Sequence, residues 1–448
     1  METLVIAIFI LGYLAITLEH QLKVDKLIPA LVMMALCWAI VALGHIDVFE
    51  VDAAMHKLIP THTEEILLHH LGKTAEILVF LIGAMTIVEI IDYFNGFSAI
   101  NKFIKTKSKR RLLWIFAIIA FGLSAIIDNL TATIVLISIL RKIVNSNHDR
   151  IWYASFIVIA ANSGGAWTPI GDVTTTMLWI AGKLSTGLLI KNLFVPSVLS
   201  VFIPVLIASR FKVFQGNIDT FELKSDKENP YSSTMLYIGL GAIIFVPIFK
   251  TVTHLPPYIG MMLSLAVVAI CAEIFSKYAL KLTTLDEDDH ENPIHRSLGR
   301  IEMPSVLFFL GILMAVAALE SIGALFHFAE GLAVNIPQLG TEMKSTTGYG
   351  ISDLVILILG FASAVIDNVP LVAATIGMFS EPIDHELWHF IAFAAGTGGS
   401  MLIIGSAAGV VAMGMEKINF FWYFKNISWL ALIGYLVGAI AFMIIRSL

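Results

Sequence analysis

The sequence predicts an all-α polytopic membrane protein made of two inverted repeats, each with five spans, one of them broken, and one re-entrant helical hairpin. Three observations carry this. Of 448 residues, 58% are hydrophobic and 14% charged, where soluble domains carry about 25% charged residues; mean hydropathy is +0.86. Apolar runs long enough to cross a ~30 Å hydrocarbon core recur along the chain. Two apolar stretches hold the same dipeptide, Asp-Asn, in their middles.

The spans are predicted at residues 3–18, 27–44, 74–95, 151–181, 188–209, 234–250, 257–275, 304–325, 387–414 and 428–446. Residues 4–18 are read as a span and not a signal peptide. No basic segment precedes them, and Glu19-His20-Gln21 follows where a small-residue cleavage site would stand. Cys37 and Cys271 lie inside apolar runs and act as small apolar side chains. The net charge of −6 does not set orientation; the placement of Lys and Arg does. No dense basic stripe exists, which excludes a nucleic-acid surface. The acidic run Asp286–Glu291, with His290, reads as a solvated loop.

Residues 112–140 and 354–380 need a different reading. A straight helix from Arg111 to Arg141 would run about 45 Å, longer than the core. Its flanks are basic on both sides, with Lys109, Arg110 and Arg111 before and Arg141, Lys142 and Arg150 after. The positive-inside rule puts both ends in the cytoplasm, so the segment enters and returns. Asp128-Asn129 falls at the tip. In the second stretch Asp367-Asn368 falls at the tip, before Pro370, and Glu381, Asp384 and Glu386 follow. That hairpin enters from outside. The loop 45–73, rich in histidine and acid, is predicted outside, as are both termini.

A polar linker, 210–233, divides the chain into repeats 1–209 and 234–448. Ser124-Ala-Ile-Ile-Asp-Asn-Leu-Thr131 matches Ser363-Ala-Val-Ile-Asp-Asn-Val-Pro370. Ala160-Ala-Asn-Ser-Gly-Gly165 matches Ala394-Ala-Gly-Thr-Gly-Gly399, and Ile170-Gly171 then falls on Ile404-Gly405. Inverted repeats of this kind place a binding site near the midplane where the halves meet.

The chemistry follows from what sits at that depth. A charge at the bilayer centre costs at least ~2.5–3.5 kcal/mol on insertion scales, so it needs a reason. Carboxylate and amide oxygens suit hard cations. An Asp at a hairpin tip also reads as a helix cap. In span 151–181 the helix is interrupted by Asn162-Ser163-Gly164-Gly165, then Thr168, Asp172, Thr174 and Thr175. In 387–414 the interruption holds Thr397, Ser400 and Ser406, and Ser406 stands where the first half has Asp172. Gly and Pro there unwind backbone and free carbonyls. Glu89 and Glu320 lie near span ends, open either to a buried role or to snorkelling.

These motifs resemble the NhaD-type sodium/proton antiporters of the ion transporter superfamily. The run Thr168-Pro-Ile-Gly-Asp-Val-Thr-Thr175 is the most specific part, and the likeness covers essentially the whole chain. The resemblance implies a secondary transporter, not an enzyme, that exchanges Na⁺ and Li⁺ for H⁺ with no cofactor. It implies a homodimer in the lipid bilayer, in a bacterial inner membrane. It places Na⁺ at Asp128, Asn129, Asp172, Asp367 and Asn368. Asn162, Ser163, Thr174, Thr175 and Thr397 complete the cation- and proton-binding set, with Ser124, Thr168, Ser363, Ser400, Ser406, Glu89 and Glu320 as secondary members. The superfamily also holds carriers of dicarboxylates and arsenite coupled to Na⁺ or H⁺. Two aspartates at the tips would repel a dicarboxylate, and no cysteine lies in the motifs to hold arsenite.

Overall fold

The computed structural model describes residues 1–52, 57–104, 106–218, 230–282, 293–328, 352–365, 367–379 and 381–447. The acidic run Asp286–Glu291 lies outside these residues, as do residues 219–229 of the linker.

The chain is helical almost throughout. α1 (Glu2–Thr17), a short α2 (Glu19–Leu22) and α3 (Leu27–Leu43) open the first half. Here the structure departs from expectation. Part of the predicted outer loop 45–73 is a two-stranded antiparallel hairpin, β1 (Val48–Asp52) against β2 (Lys57–Thr61). The next helix, α4 (Thr63–Tyr93), begins at Thr63 and not at 74. Its first turns hold Glu64, Glu65, His69 and His70, polar but compatible with helix. At 31 residues it is about 46 Å long, so its polar start projects beyond a ~30 Å core.

The first hairpin has arms α5 (Lys109–Ser124) and α6 (Asn129–Ile143). The first broken span is α7 (Asn147–Gly165) and α8 (Val173–Ile180), followed by α9 (Thr186–Ala208). The second half repeats this order. α10 (Ser232–Thr253), α11 (Pro257–Leu282), a short α12 (Pro293–Leu298) and α13 (Met303–Ser321) lead to hairpin arms α14 (Asp353–Val365) and α15 (Asn368–Met378). The second broken span is α16 (Glu386–Gly398) and α17 (Ala407–Glu416), and α18 (Phe420–Asn426) and α19 (Ser428–Ser447) close the chain.

α7 and α16 form the centre. Every residue from Tyr153 to Gly165 and from Leu387 to Gly398 is buried. A helix apolar on all faces has no surface to offer water, so it is wrapped by others.

The hairpins are fastened to these helices by matching contacts. The Ser124 hydroxyl donates to Ala161 O (2.6 Å), and the Ser363 hydroxyl to Ala395 O (2.8 Å). A Cβ at Gly164 would overlap Phe121 O, and one at Gly398 would overlap Gly360 O. Each of these pairs falls on matching positions of the two sequence motifs, and the contacts are consistent with a repeat.

Ion pairs close the two ends of the bundle. At one end Lys109 meets Asp149 (2.6 Å), and Arg141 and Arg150 converge on buried Glu416 (2.7 and 2.9 Å). Both feet of the first hairpin therefore stand beside the start of the first broken span and the end of the second. At the other end Arg446 grips Asp353 (2.7 Å) and Glu386 (3.3 Å). There Asp384 accepts from Ser185 N (2.7 Å) at the exit of the first broken span. The hairpins thus open at opposite ends.

Candidate functional site

The first hairpin turns at 125–128. Asp128 is the N-cap of α6; its carboxylate accepts from Thr131 N (2.9 Å) and from the Thr131 hydroxyl (2.6 Å). One residue satisfies both oxygens, its backbone N–H at Oδ1 and its hydroxyl at Oδ2. Asn129 then projects away from the turn. Its amide donates to Asn162 Oδ1 and to Asp172 Oδ2, both at 2.9 Å.

The second tip differs. Asp367 is the N-cap of α15 but makes no capping bond with its side chain. The reason lies in the sequence. The N3 position, whose N–H an N-cap side chain commonly takes, is Thr131 in the first hairpin and Pro370 in the second. Proline has neither N–H nor hydroxyl. Asp367 turns instead to Lys26, at the foot of α3, whose ammonium donates to Oδ2 at 3.1 Å. Lys26 also lies 4.6 Å from the centre of the Phe308 ring. Asn368 matches Asn129: its amide donates to Asp172 Oδ2 at 3.4 Å.

The first break delivers Asp172 to this point. Asp172 caps α8, accepting from Thr174 N and the Thr174 hydroxyl at 2.9 Å each, all through Oδ1. Its Oδ2 is left for the two asparagines. The break is held open by hydroxyls: Thr168 donates to Ala125 O (2.7 Å), Thr175 to Asp172 O (2.8 Å) and Thr176 to Pro169 O (2.9 Å). Ser163 is buried in the last turn before it. The second break presents Ser406, which caps α17 through Gly409 N and accepts from the Asn162 amide at 2.9 Å. Thr397 and Ser400 bond within their own segment, to Phe393 O (2.6 Å) and Thr397 O (2.7 Å).

One cavity of ≈ 50 Å³ runs between these elements. Its walls include Asp128, Asn129, Asp172, Asp367, Asn368 and Lys26. That is room for a few waters or a small ion. Among the described residues no group of three or more His, Cys, Asp and Glu stands close enough to hold a metal together. The three aspartates share a cavity but not a single point; the groups that meet at one point are Asp172, Asn129 and Asn368. Glu89 and Glu320 do not line it. Glu320 is half-buried against the second hairpin, where a Cβ at Gly377 would lie 2.9 Å from its Oε2.

The site set read from the sequence leaves out Lys26, Thr131 and Thr176. The signal for Thr131 was present as the Thr/Pro difference between the matched tips. Lys26 lies 341 residues from its partner and carries no local signal.

The cavity is lined from both halves, and six of the described helices are long and apolar enough to cross a membrane, the build of an integral membrane transporter. The family model described as "Citrate transporter" (CitMHS) matches residues 4–387. "Sodium/proton antiporter 1" of Arabidopsis thaliana is 41% identical over 98% of this chain and 72% of its own length. "Na(+)/H(+) antiporter NhaD" of Alkalimonas amylolytica is 30% identical over 97% of this chain and 88% of its own length; that of Vibrio cholerae is 30% identical over 98% and 91%. The crystal structure of the Alcanivorax borkumensis YdaH transporter shares the fold, with a TM-score of 0.53 at 12% identity, over 93% of this chain and 96% of that one. The chain belongs to the NhaD-type sodium/proton antiporter family, within the group that the CitMHS model describes.

Proposed function

We propose that the chain exchanges Na⁺, and Li⁺, for H⁺ across the membrane by alternating access, with its buried aspartates holding cation or proton in turn. The observation that carries this reading is the convergence of both asparagines, from opposite hairpins, on Asp172 Oδ2. Asp172 supplies charge at the junction of the halves. Half a turn of either amide replaces its NH₂ with an oxygen, so the same three residues offer a hard cation up to three oxygen ligands. Asp367 supplies a second charge at the cavity wall. A carboxylate that holds a proton cannot hold Na⁺, and this exclusion is the simplest coupling. A site fed from both hairpins changes when either hairpin moves against its broken helix, which suits exposure to one side at a time.

The carrier reading for citrate, another carboxylate or arsenite draws on the family model's description and on Lys26. Among the described residues Lys26 is the one ammonium on the cavity wall, and it is already paired with Asp367. Three aspartates on that wall oppose an anion.

Na⁺-dependent proton release in everted vesicles tests the reading. Wild type is expected to respond to Na⁺ and Li⁺ and not to citrate, succinate or arsenite. Full exchange in both Asp172→Asn and Asp367→Asn would sink it.

A further inference from the structure

Of the ion pairs among the described residues, one opens on the cavity. The Arg446–Asp353 pair is sealed, with side chains 6% and 1% exposed, and Glu416 between its two arginines is 1% exposed. In the Lys26–Asp367 pair the side chains are 24% and 13% exposed, and both residues line the cavity. A small ion in the cavity can reach it.

The pair is also built to separate. It is a single contact at 3.1 Å, not the two-point grip that Arg446 has on Asp353. Lysine is a compact charge on a flexible stem, and a single ammonium is a closer match to a monovalent metal ion than a planar guanidinium. Whichever of the two monovalent cations sits on it, the carboxylate keeps one positive partner. The ammonium already lies 4.6 Å from the centre of the Phe308 ring, and that ring face can hold the cation when it lets go of Asp367. Other charges act on the pair without replacing it, Glu19 and Asp25 on Lys26 from the segment leading into α3, and the neutral Tyr13 phenol lies near Asp367.

We propose that Lys26 is a built-in competitor of the transported cation: its ammonium and Na⁺ take turns on the Asp367 carboxylate, and the strength of the Lys26 contact sets the affinity for Na⁺. This rests on the antiport reading. Lys26 is then a residue that tunes cation affinity from 341 positions away. The first tip has no counterpart, because Thr131 already holds Asp128.

The test is radioactive Na⁺ exchange by the purified full-length chain in proteoliposomes, at an alkaline pH that keeps the carboxylates ionised. Lys26→Met keeps an unbranched apolar stem and removes the charge; Lys26→Gln removes it and stays polar. Both are expected to lower the apparent KM for Na⁺ by roughly fivefold to tenfold, because the competitor is gone. Lys26→Arg is expected to raise it by roughly twofold or more, because a guanidinium grips a carboxylate at two points. A lysine that only anchors α3 would change the maximal rate or the yield and leave KM in place. Wild-type exchange together with an unchanged or raised KM in Lys26→Met overturns the inference alone. Wild-type vesicles that exchange no Na⁺ overturn the antiport reading and the inference with it. Should neither neutral variant reach the membrane, Lys26→Arg decides, and an unchanged or lowered KM counts against the proposal.

Discussion

The two hairpin tips share a sequence, Asp-Asn, and share a scaffold, yet their carboxylates do different work. Each hairpin is fastened by a serine to a carbonyl of its broken helix and by a glycine that lets two backbones cross. Each sends its asparagine to Asp172. But Asp128 spends its oxygens on Thr131, while Asp367, facing Pro370, turns to Lys26 in the cavity. A repeat can therefore keep its frame and divide its chemistry, and one residue three positions past the aspartate decides which way.

The shared frame allows the largest predicted effect. Gly164→Ala and Gly398→Ala each push a methyl into a backbone carbonyl, of Phe121 and Gly360. Backbone cannot step aside as a side chain can, and overpacking costs about 1–3 kcal/mol or more. Both variants are expected to lose most folded protein, measured by yield after detergent extraction and by thermal unfolding. Similar losses at the two sites support equal frames; a large loss at only one would break that half of the comparison.

Next come the carboxylates. Asp367→Asn is expected to reduce Na⁺-dependent proton release by about a hundredfold or more, with little change in stability, because the lost charge faces the cavity. Asp128→Asn keeps a good N-cap and is expected to cost activity less. Asp128→Ala loses the cap as well, and the difference between the two Asp128 variants in thermal unfolding should correspond to about 1 kcal/mol. Asp128→Asn with a defect as deep as that of Asp367→Asn would show that the tips are chemically equal after all.

Most of the frame was legible in the sequence because lipid makes few solutions available. Apolar length marks spans, basic flanks mark the inner ends, and a stretch too long to cross yet basic at both ends has to fold back. The arms α5 and α6 fall close to the predicted 112–140, and the breaks at 166–172 and 399–406 fall within their predicted spans. The polar stretch 45–73 was not legible in the same way. Outside the bilayer, water satisfies strand, helix and loop alike, so β1, β2 and the start of α4 at Thr63 left no hydropathy signal. The cap at Asp128 was readable from Thr131, and the missing cap at Asp367 from Pro370, by asking where each N3 donor goes. Lys26 was not, since only the packing of α3 on α13 brings it to Phe308 and Asp367.

An exchange of the deciding residues sharpens the comparison further. Pro370→Thr gives α15 an N3 donor and a hydroxyl, as Thr131 gives α6. Asp367 is then expected to cap its own arm, raising stability by up to about 1 kcal/mol while weakening Na⁺ exchange by roughly tenfold, because the carboxylate leaves the cavity. Thr131→Pro should do the reverse at the first tip, freeing Asp128 at a cost in stability. Stabilisation and loss of exchange in the same variant is the signature, read by thermal unfolding and vesicle assay together. A Pro370→Thr variant with unchanged exchange would mean that Asp367 ignores the cap offered to it.

The smallest effect is expected where the halves differ most visibly in sequence, at the position that holds Asp172 in one break and Ser406 in the other. Ser406 caps α17 and accepts from the Asn162 amide, but it contributes no charge and no bond to Asp172 Oδ2. Ser406→Ala removes one cap, about 0.5–2 kcal/mol of stability, and leaves Asn162 held through its Oδ1 by the Asn129 amide. Exchange should fall by no more than roughly threefold, a loss that tracks the lowered stability and not the affinity for Na⁺. Asn162→Ala removes both bonds at once and should fall between this variant and those at the carboxylates. If Ser406→Ala instead shifted the apparent KM for Na⁺ as far as Asp367→Asn does, the second break would be a ligand in its own right. The division of labour would then run through both halves and not through Pro370 alone.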